Sequence, residues 1–224
     1  MNEPAQTDAP SATETIAARL RESRVLPVVE LPAAEHAVPL AEALLAGGLA
    51  CVEITFRTPA ARDGLRAVRA AFPDLLLGAG TVLTAEQLED AVEAGADFVV
   101  SPGTNPRLLE LSAERGIPAL PGVCTPTEIE LARSCGAGVM KFFPAEAMGG
   151  VAFLRALCAP YRDLSLVPTG GVDPSNLAAY LELPQVVACG GSWLARRDLL
   201  LAGDFERVRA LAEEAAAIAA RAVA

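Results

Sequence analysis

Eight short apolar runs rich in β-forming residues alternate with helical patterns from about residue 25 onward, and this alternation constrains the fold more than any other feature. The centres of the runs recur roughly every 20–26 residues, about the length needed for a strand, a helix and two short loops. We therefore predict repeated βα units built around a parallel sheet. The runs are VLPVVEL from Val25, LACVEITF from Leu49, LLLGAGTV from Leu75, ADFVVSP from Ala96, IPALPGV from Ile117, GVMKFFP from Gly138, LSLVPTGG from Leu164 and QVVACGG from Gln185.

Helix start signals separate the runs, which supports this interpretation. A Ser, Thr, Asp or Asn at the N-cap, often with proline at the first helical position, is typical of a helix N-terminus. Such signals occur at Thr58-Pro59, Thr84-Ala85, Asn105-Pro106, Thr125-Pro126 and Asp173-Pro174.

Eight βα units without a break in composition predict an α/β fold. They favour a closed barrel with eight parallel strands, the (β/α)8 or TIM barrel, over an open doubly wound sheet. The first run is not followed by G-x-G-x-x-G, which weighs against a dinucleotide-binding fold. We predict one barrel domain over residues 13–224, including a last helix from about Phe205 to Ala222. Residues 1–12 have neither the basic nor the apolar segment of a secretory signal, and we predict that they form a disordered tail.

Charge and cysteine content narrow the range of partners. The chain has 18 Lys plus Arg against 28 Asp plus Glu, and a formal net charge of -10 provides no basic surface for nucleic acid or an anionic membrane. An anionic small molecule would therefore have to be held by local groups. No apolar run is long enough to span a membrane, so we expect a soluble protein. Five widely spaced cysteines without a Cys-x-x-Cys pair indicate reduced thiols and a cytoplasmic location.

The single histidine, His36, cannot build a histidine-based metal cluster or support the usual catalytic triads.

The residue that says most about the chemistry is Lys141, the only lysine in a chain with seventeen arginines. It lies inside the run GVMKFFP. Lys141 shares strand parity with Val139 and Phe143, so it points inward if Met140 and Phe142 face the helices. A buried amine without a partner favours its neutral form, which is the nucleophile that forms a Schiff base. Arginine cannot take this role because its guanidinium stays protonated. The alternative is a structural lysine that extends its amine to the solvent.

The run LACVEITF predicts a second functional group. Its even positions are all apolar, so Glu53 faces the interior and Arg57 lies beyond it at the C-terminal mouth, where barrel enzymes carry out their chemistry. An inward glutamate near a lysine can relay protons, and an arginine at the mouth can bind a carboxylate. Alternatively, Glu53 and Arg57 form a structural ion pair. Glu30 in VLPVVEL has a similar position, and the pattern does not decide its role.

Two glycine turns follow the last two runs, at Thr169–Val172 and at Gly190–Trp193. Many barrels bind phosphate at these two positions. Glycine allows backbone N–H groups to approach an anion closely, and a helix start behind the turn adds favourable polarity. The pair of turns therefore predicts a phosphate site that does not depend on net charge.

With these motifs in place, the chain strongly resembles the class I KDPG/KHG aldolase family, the aldolases of 2-keto-3-deoxy-6-phosphogluconate. The resemblance implies a Schiff base on Lys141, Glu53 as general acid and base, a small-molecule sugar acid phosphate as substrate, no metal or other cofactor, and a homotrimer. It also implies three binding groups: Arg57 and Thr81 for the substrate carboxylate, Pro102 and Phe143 as pocket walls, and Gly170, Gly171, Gly191 and Ser192 for the phosphate. The matching motifs are VLPVVEL, GGLACVEITFRTPAA, LLLGAGTVLT, GADFVVSPGTNP, IPALPGVCTPTEI, GVMKFFPAEAMGG, VPTGGV and GGSWL.

The activity implied by the resemblance is cleavage of 2-keto-3-deoxy-6-phosphogluconate to pyruvate and glyceraldehyde 3-phosphate, a step of the Entner-Doudoroff pathway. Aldolases acting on 2-keto-3-deoxy-6-phosphogalactonate or on unphosphorylated 4-hydroxy-2-oxoglutarate would share these motifs. Two further alternatives lie outside the class: a phosphate-binding barrel isomerase, in which Glu53 moves a proton and Lys141 is only an electrophile, and a sugar-phosphate-binding protein without catalysis.

Overall fold

The computed structural model describes residues 10–222 as an alternation of helices and strands. A short 3-10 helix at Ala34–His36 precedes the second α-helix. Within the described residues, the α-helices are α1 (Ala12–Ser23), α2 (Ala37–Ala46), α3 (Ala61–Ala71), α4 (Ala85–Glu93), α5 (Pro106–Glu114), α6 (Pro126–Ser134), α7 (Gly150–Cys158), α8 (Leu177–Leu181), α9 (Arg197–Ala202) and α10 (Phe205–Ala222). The strands are β1 (Val25–Val29), β2 (Cys51–Thr55), β3 (Leu76–Gly80), β4 (Phe98–Val100), β5 (Ala119–Leu120), β6 (Gly122–Val123), β7 (Met140–Phe142), β8 (Leu166–Pro168) and β9 (Cys189–Gly191).

The strands form two parallel sheets. Six of them are ordered β5-β4-β3-β2-β1-β9, and the remaining three are ordered β6-β7-β8. In the larger sheet Glu53 of β2 is in register with Val28 of β1 and with Gly78 of β3. In the smaller sheet Lys141 of β7 is in register with Gly122 of β6 and with Val167 of β8.

The prediction of a closed eight-stranded barrel is therefore wrong, although the α/β class and the strand positions are right. The fifth predicted run is divided at Pro121 into β5, which pairs with β4, and β6, which pairs with β7. Proline has no backbone N–H to donate to a ladder, so the pairing is interrupted at that residue.

The second seam lies between β8 and β9, where two isolated bridges, Leu166 to Val186 and Thr169 to Gly190, replace a continuous ladder. The Leu166 N–H donates to the Gln185 carbonyl at 2.7 Å, and the next donor on the same strand edge would belong to residue 168. That residue is Pro168, which has no N–H. A proline, which lacks one ladder donor, thus lies at each of the two places where the predicted barrel divides into two sheets.

The apolar core has two parts, one between the strands and the surrounding helices and one between the two sheets. The inner cluster combines side chains of α1, including Leu20, with strand residues such as Leu26, Phe98 and Val167. Because strands of both sheets contribute, the sheets face a common interior. Residues alternate as the sequence predicts along β2 and along β7 with the residue before it. Val52, Ile54, Met140 and Phe142 belong to the helix-facing core, and Cys51 and Val139 to the inner cluster.

Three of the predicted helix starts are N-caps in the structure. The side chains of Thr84, Asn105 and Thr125 accept hydrogen bonds from the first turns of α4, α5 and α6. Thr58 is not a cap, since its hydroxyl donates to the Leu31 carbonyl at 2.8 Å. Asp173 is not a cap either, because α8 begins only at Leu177, after Asn176. A cap motif therefore predicts a helix only where no neighbouring strand end or turn offers the side chain another partner.

Residues 1–9, most of the stretch predicted to be a disordered tail, lie outside the described residues. Ser11 caps α1, because its hydroxyl accepts from the Glu14 N–H while its own N–H donates to the Glu14 carboxylate at 2.8 Å. At the other end of the chain, α10 packs against α2 and α8. No helix within residues 10–222 has the length and apolar character to cross a membrane.

Candidate active site

Lys141 and Glu53 face each other across the interior between the two sheets. Lys141 Nζ lies 3.5 Å from Glu53 Oε1, and the two side chains are only 4% and 1% exposed. Lys141 comes from β7 of the smaller sheet and Glu53 from β2 of the larger one. The structure thus brings together, as a buried ion pair, the two residues that the sequence predicts to carry the chemistry.

Gly80 in β3 provides the space for the Glu53 side chain. A Cβ on Gly80 would lie 2.7 Å from Glu53 Cδ, closer than side-chain atoms approach in proteins. The same strand has Gly78 against the ring of Phe98, which belongs to the inner cluster. The absence of a side chain at Gly80 therefore leaves room for the carboxylate, and the absence of one at Gly78 leaves room for the Phe98 ring.

The Glu53 carboxylate has few partners. Among residues 10–222, its Oε1 accepts no hydrogen bond, and its one ion pair is with Lys141. A buried carboxylate with so little compensation is costly, and removal of one member of a buried pair costs about 3–5 kcal/mol. Such a carboxylate is well suited to exchange a proton with a substrate hydroxyl or a water molecule, because its second oxygen atom is not engaged by a salt bridge.

Phe143 links the interior pair to the first glycine turn. Its ring lies 5.3 Å from Lys141 Nζ, measured to the ring centroid. The ring also lies close to Gly170, where an added Cβ would be 3.3 Å from the Phe143 ring. Phe143 is half-buried. A molecule that reached both the Lys141 amine and the Thr169–Val172 turn would therefore pass along this ring.

Arg57 and Thr81 follow the ends of two neighbouring strands, β2 and β3. The Phe56 N–H donates to the Gly80 carbonyl at 2.7 Å, which holds the two strand ends side by side. Arg57 is exposed, and its guanidinium forms neither a hydrogen bond nor an ion pair with any of residues 10–222. Thr81 has a φ of 57°, a left-handed conformation that costs a residue with a side chain about 1–3 kcal/mol. Such strain is concentrated at functional sites.

Pro102 is exposed and follows β4. Its carbonyl packs so closely on Gly122 that a Cβ on that glycine would overlap it. Gly122 is in turn the β6 neighbour of Lys141, so Pro102 lies one strand away from the lysine. The structure therefore puts Pro102 near the pair but provides no direct contact with it.

The two glycine turns lie next to each other, joined by the bridge between Thr169 and Gly190. Gly170 and Gly171 have φ values of 97° and 82°, which residues with a side chain rarely adopt. Their N–H groups, and that of Ser192, donate to no acceptor within residues 10–222. Gly191 packs against the ring of Trp193 and leaves no room for a side chain. Successive free backbone N–H groups in a turn can form an anion-binding concavity.

Side-chain contacts that the sequence did not predict surround this site. Glu30, whose role the sequence leaves open, forms an ion pair with Arg197 at 3.5 Å, with both side chains partly exposed. Buried Tyr180 donates a hydrogen bond of 2.5 Å to Glu146, which follows the strand of Lys141. Burial, and then the bond to Glu146, raise the pKa of Tyr180 well above its usual value. No spacing in the sequence indicates these pairs, because their members are more than thirty residues apart.

The chain is similar to proteins of one family in both sequence and structure. A family model described as KDPG and KHG aldolase matches residues 16–211, which include every residue of the site. A 2-dehydro-3-deoxy-phosphogluconate aldolase from Treponema pallidum (strain Nichols) is 50% identical to this chain over 200 residues, 89% of this chain and 95% of the relative.

Two solved structures have a TM-score of 0.85 to this chain. One is the 2-keto-3-deoxy-6-phosphogluconate aldolase of Zymomonas mobilis ZM4 with 3-phosphoglycerate, which is 37% identical, with 92% of this chain and 97% of that chain covered. The other is the KDPG aldolase from Legionella pneumophila with pyruvate captured at low pH as a covalent carbinolamine intermediate, which is 39% identical, with 88% of this chain and 96% of that chain covered.

Proposed function

Because the chain belongs to the KDPG and KHG aldolase family, we propose that it is a class I aldolase that cleaves 2-keto-3-deoxy-6-phosphogluconate to pyruvate and glyceraldehyde 3-phosphate. The observation that carries the proposal is the buried Lys141 amine 3.5 Å from the Glu53 carboxylate. A lysine that can pass its proton to a neighbouring carboxylate becomes a nucleophile for a carbonyl carbon. The covalent pyruvate adduct of the Legionella relative supports the same chemistry in this chain.

The reaction begins with addition of the Lys141 amine to the C2 ketone of the substrate. The ketone oxygen takes up a proton to give a carbinolamine. That hydroxyl then leaves as water with a second proton, and a C2 iminium remains on the lysine. The positive iminium accepts the electron pair of the C3–C4 bond when that bond breaks, which a ketone does far less readily.

Glu53 is the base for the cleavage step. It takes the proton of the C4 hydroxyl, directly or through a water molecule, while the C3–C4 electrons move to form an enamine. C4 becomes the aldehyde carbon of glyceraldehyde 3-phosphate. The proton then returns to C3, and hydrolysis of the imine releases pyruvate and restores the amine. A positioned base of this kind contributes about 10²–10⁴-fold to the rate.

Arg57 and Thr81 are proposed to hold the C1 carboxylate of the substrate. Support comes from the Arg57 guanidinium, which has no protein partner within residues 10–222, and from the strained backbone of Thr81 on the adjacent strand end. A planar guanidinium pairs well with a carboxylate through two parallel hydrogen bonds. Phe143 and Pro102 are proposed to line the pocket between this carboxylate and the rest of the substrate.

The phosphate is proposed to bind at the two glycine turns, on the N–H groups of Gly170, Gly171, Gly191 and Ser192. The left-handed conformation of the first two residues and the absence of acceptors for three of these N–H groups among residues 10–222 support this location. The Zymomonas relative was solved with 3-phosphoglycerate, a phosphorylated three-carbon acid, which supports binding of such groups in the family. Backbone donors suit a protein of net charge -10 because they need no basic side chains.

We also propose a cytoplasmic location and a single domain over residues 13–224. The free cysteines within residues 10–222 support a reducing environment.

The family resemblance supports a homotrimer. Light scattering at several protein concentrations measures the assembly, and a mass of one or two chains would contradict the trimer.

Borohydride reduction in the presence of pyruvate tests the chemistry. Because Lys141 is the only lysine, the adduct has one side-chain amine on which to form, and peptide mapping distinguishes it from reaction at the N-terminus. We expect a stable adduct on Lys141 in the wild type and none in Lys141→Arg. A phosphate-binding isomerase or a simple binding protein would give no adduct, which would overturn the proposal.

The choice of substrate needs its own test. Cleavage of 2-keto-3-deoxy-6-phosphogluconate, of its galactonate epimer and of 4-hydroxy-2-oxoglutarate can be followed side by side through the release of the keto acid. We expect the phosphorylated gluconate to have the highest kcat/KM. A higher kcat/KM for either of the other two compounds would mean that the preferred substrate is that compound, while the reaction class would stay the same.

A further inference from the structure

Glu146 packs against the first glycine turn from the side of β7. Its N–H donates to the Gly170 carbonyl at 3.0 Å, and the N–H of Ala145 donates to the Thr169 carbonyl at 2.9 Å. The Glu146 side chain then crosses Gly171, where an added Cβ would lie 2.6 Å from Glu146 Cβ and 2.7 Å from Glu146 Cγ. The first carbons of the Glu146 side chain are thus fixed at the edge of a turn whose N–H groups are suited to an anion, so the carboxylate that follows them has to be directed elsewhere.

Tyr180 holds that carboxylate. Its hydroxyl donates to Glu146 Oε1 at 2.5 Å, and its ring is completely buried in α8. The same oxygen would lie 3.0 Å from a Cβ on Gly150, the first residue of α7, so the carboxylate is turned toward α7 and α8. Because Glu146 is exposed, its side chain has room to adopt other rotamers.

The charge of Glu146 is unfavourable for a phosphate at this turn. Two negative groups a few ångströms apart repel each other, and the repulsion is strongest where solvent is partly excluded. Asn176 also supports the turn, because its side-chain amide donates to the Gly171 carbonyl at 3.0 Å, and it adds no charge. The direction in which Glu146 points therefore matters for anion binding, and the Tyr180 hydroxyl fixes it.

We propose that Tyr180 and Glu146 form a positioning pair that sets the affinity for the substrate phosphate by holding the Glu146 carboxylate away from the Thr169–Val172 turn. The inference rests on the proposed function, because it needs a phosphorylated substrate at that turn. It assigns no chemical step to either residue. Loss of the Tyr180 hydroxyl releases the carboxylate, and the released charge weakens binding of phosphorylated substrates while the reaction at Lys141 continues.

Kinetics of Tyr180→Phe with two substrates test this role. We expect KM for 2-keto-3-deoxy-6-phosphogluconate to rise about three- to tenfold, the range for a lost hydrogen bond to a charged group combined with partly screened repulsion. We expect KM for 4-hydroxy-2-oxoglutarate, which has no phosphate, and the yield of the borohydride adduct with pyruvate to stay at wild-type values. Added salt should reduce the defect, because ions screen the repulsion.

The double variant Tyr180→Phe/Glu146→Gln separates charge from structure. Glutamine has the same shape without the charge, so the double variant should recover the wild-type KM for the phosphorylated substrate. Glu146→Gln alone keeps the acceptor for the Tyr180 hydroxyl on an exposed residue, and its KM for that substrate should be equal to or lower than the wild-type value. This single variant keeps the proposal testable if loss of the Tyr180 hydroxyl impairs folding.

The chain contains a matched control. Tyr161, the only other tyrosine, donates to exposed Glu130 of α6 at 2.9 Å and has no hydrogen bond to the turn. Tyr161→Phe should therefore change neither KM. Equal effects of Tyr180→Phe on both substrates, no recovery in the double variant, or a higher KM in Glu146→Gln would overturn the proposal. If wild-type protein formed no borohydride adduct with pyruvate, the proposed function itself would be refuted.

Discussion

Lys141 and Glu53 lie in the interior between the two sheets, whereas the glycine turns lie at its rim, and the two regions use different parts of the chain. The interior pair offers an amine and a carboxylate that are 4% and 1% exposed. The turns offer backbone N–H groups, with Gly171 and Ser192 exposed to solvent. The interior site therefore depends on the identity of two side chains, and the rim depends on the absence of side chains.

This difference predicts how each region responds to mutation. A buried reactive side chain has no substitute nearby, so its replacement removes a chemical step. A backbone site tolerates changes in neighbouring side chains but not an added Cβ or an unfavourable charge. We expect large losses of kcat from interior changes and smaller losses of affinity, confined to phosphorylated substrates, from changes at the rim.

The largest expected effect is that of Lys141→Arg. The variant retains a positive charge opposite Glu53 but has no amine that can form an iminium. We expect kcat to fall about 10⁵-fold or more, the scale for loss of a covalent nucleophile. Pyruvate release measured with lactate dehydrogenase gives kcat, and circular dichroism checks the fold. A folded variant that keeps about one-tenth of wild-type turnover would show that the covalent step is not essential.

Glu53→Gln should have the next largest effect. The amide has the shape of the carboxylate but cannot accept the C4 hydroxyl proton, so kcat should fall about 10²–10⁴-fold. Glu30→Gln is the control, because Glu30 follows the neighbouring strand β1 and pairs instead with Arg197. It should leave kcat within about twofold of wild type, as expected for a partly exposed ion pair. Similar losses in both variants would mean that a general change in charge, and not a base at position 53, controls turnover.

The sequence predicts the interior region better than the rim. The alternation of apolar and polar residues along β2 and β7 is local, and it is enough to orient Glu53 and Lys141 inward. The pairings of Glu30 with Arg197 and of Tyr180 with Glu146 depend on how distant helices dock, which no local pattern encodes. Closure of the barrel fails at two places, and the sequence has a proline at each of them.

The proline at each break removes one backbone donor from the strand run. Pro121 and Pro168 lie inside runs that otherwise read as strands, and each lacks the donor that a continuous ladder needs. Counting apolar runs gives the number of βα units but not the continuity of their hydrogen bonds. Strand positions and closure are therefore separate predictions, and only the first follows from periodicity.

Arg57→Ala tests the side chain that is proposed to bind the substrate at the mouth. Because the guanidinium has no partner within residues 10–222, the free energy of unfolding should change by less than about 0.5 kcal/mol. KM for phosphorylated and unphosphorylated keto acids should rise equally, by about ten- to a hundredfold, since both have the C1 carboxylate. Arg107→Ala, at a similarly exposed arginine in α5, is the control for loss of a positive charge. A selective effect on phosphorylated substrates would reassign Arg57 to the phosphate.

Gly171→Ala should have the smallest effect on turnover, and it tests the rim directly. Alanine at a φ of 82° is strained, and its Cβ would lie 2.6 Å from Glu146 Cβ, so the turn must shift. We expect KM for 2-keto-3-deoxy-6-phosphogluconate to rise about tenfold and the free energy of unfolding to fall by about 1–3 kcal/mol. Gly103→Ala controls for stability, since its Cβ would meet no atom within 4 Å. If the rim acts separately from the interior, kcat for 4-hydroxy-2-oxoglutarate should stay near the wild-type value in Gly171→Ala. An equal loss with that substrate would show that the turn also shapes the pocket around Lys141, through Phe143, and that the two regions act as one.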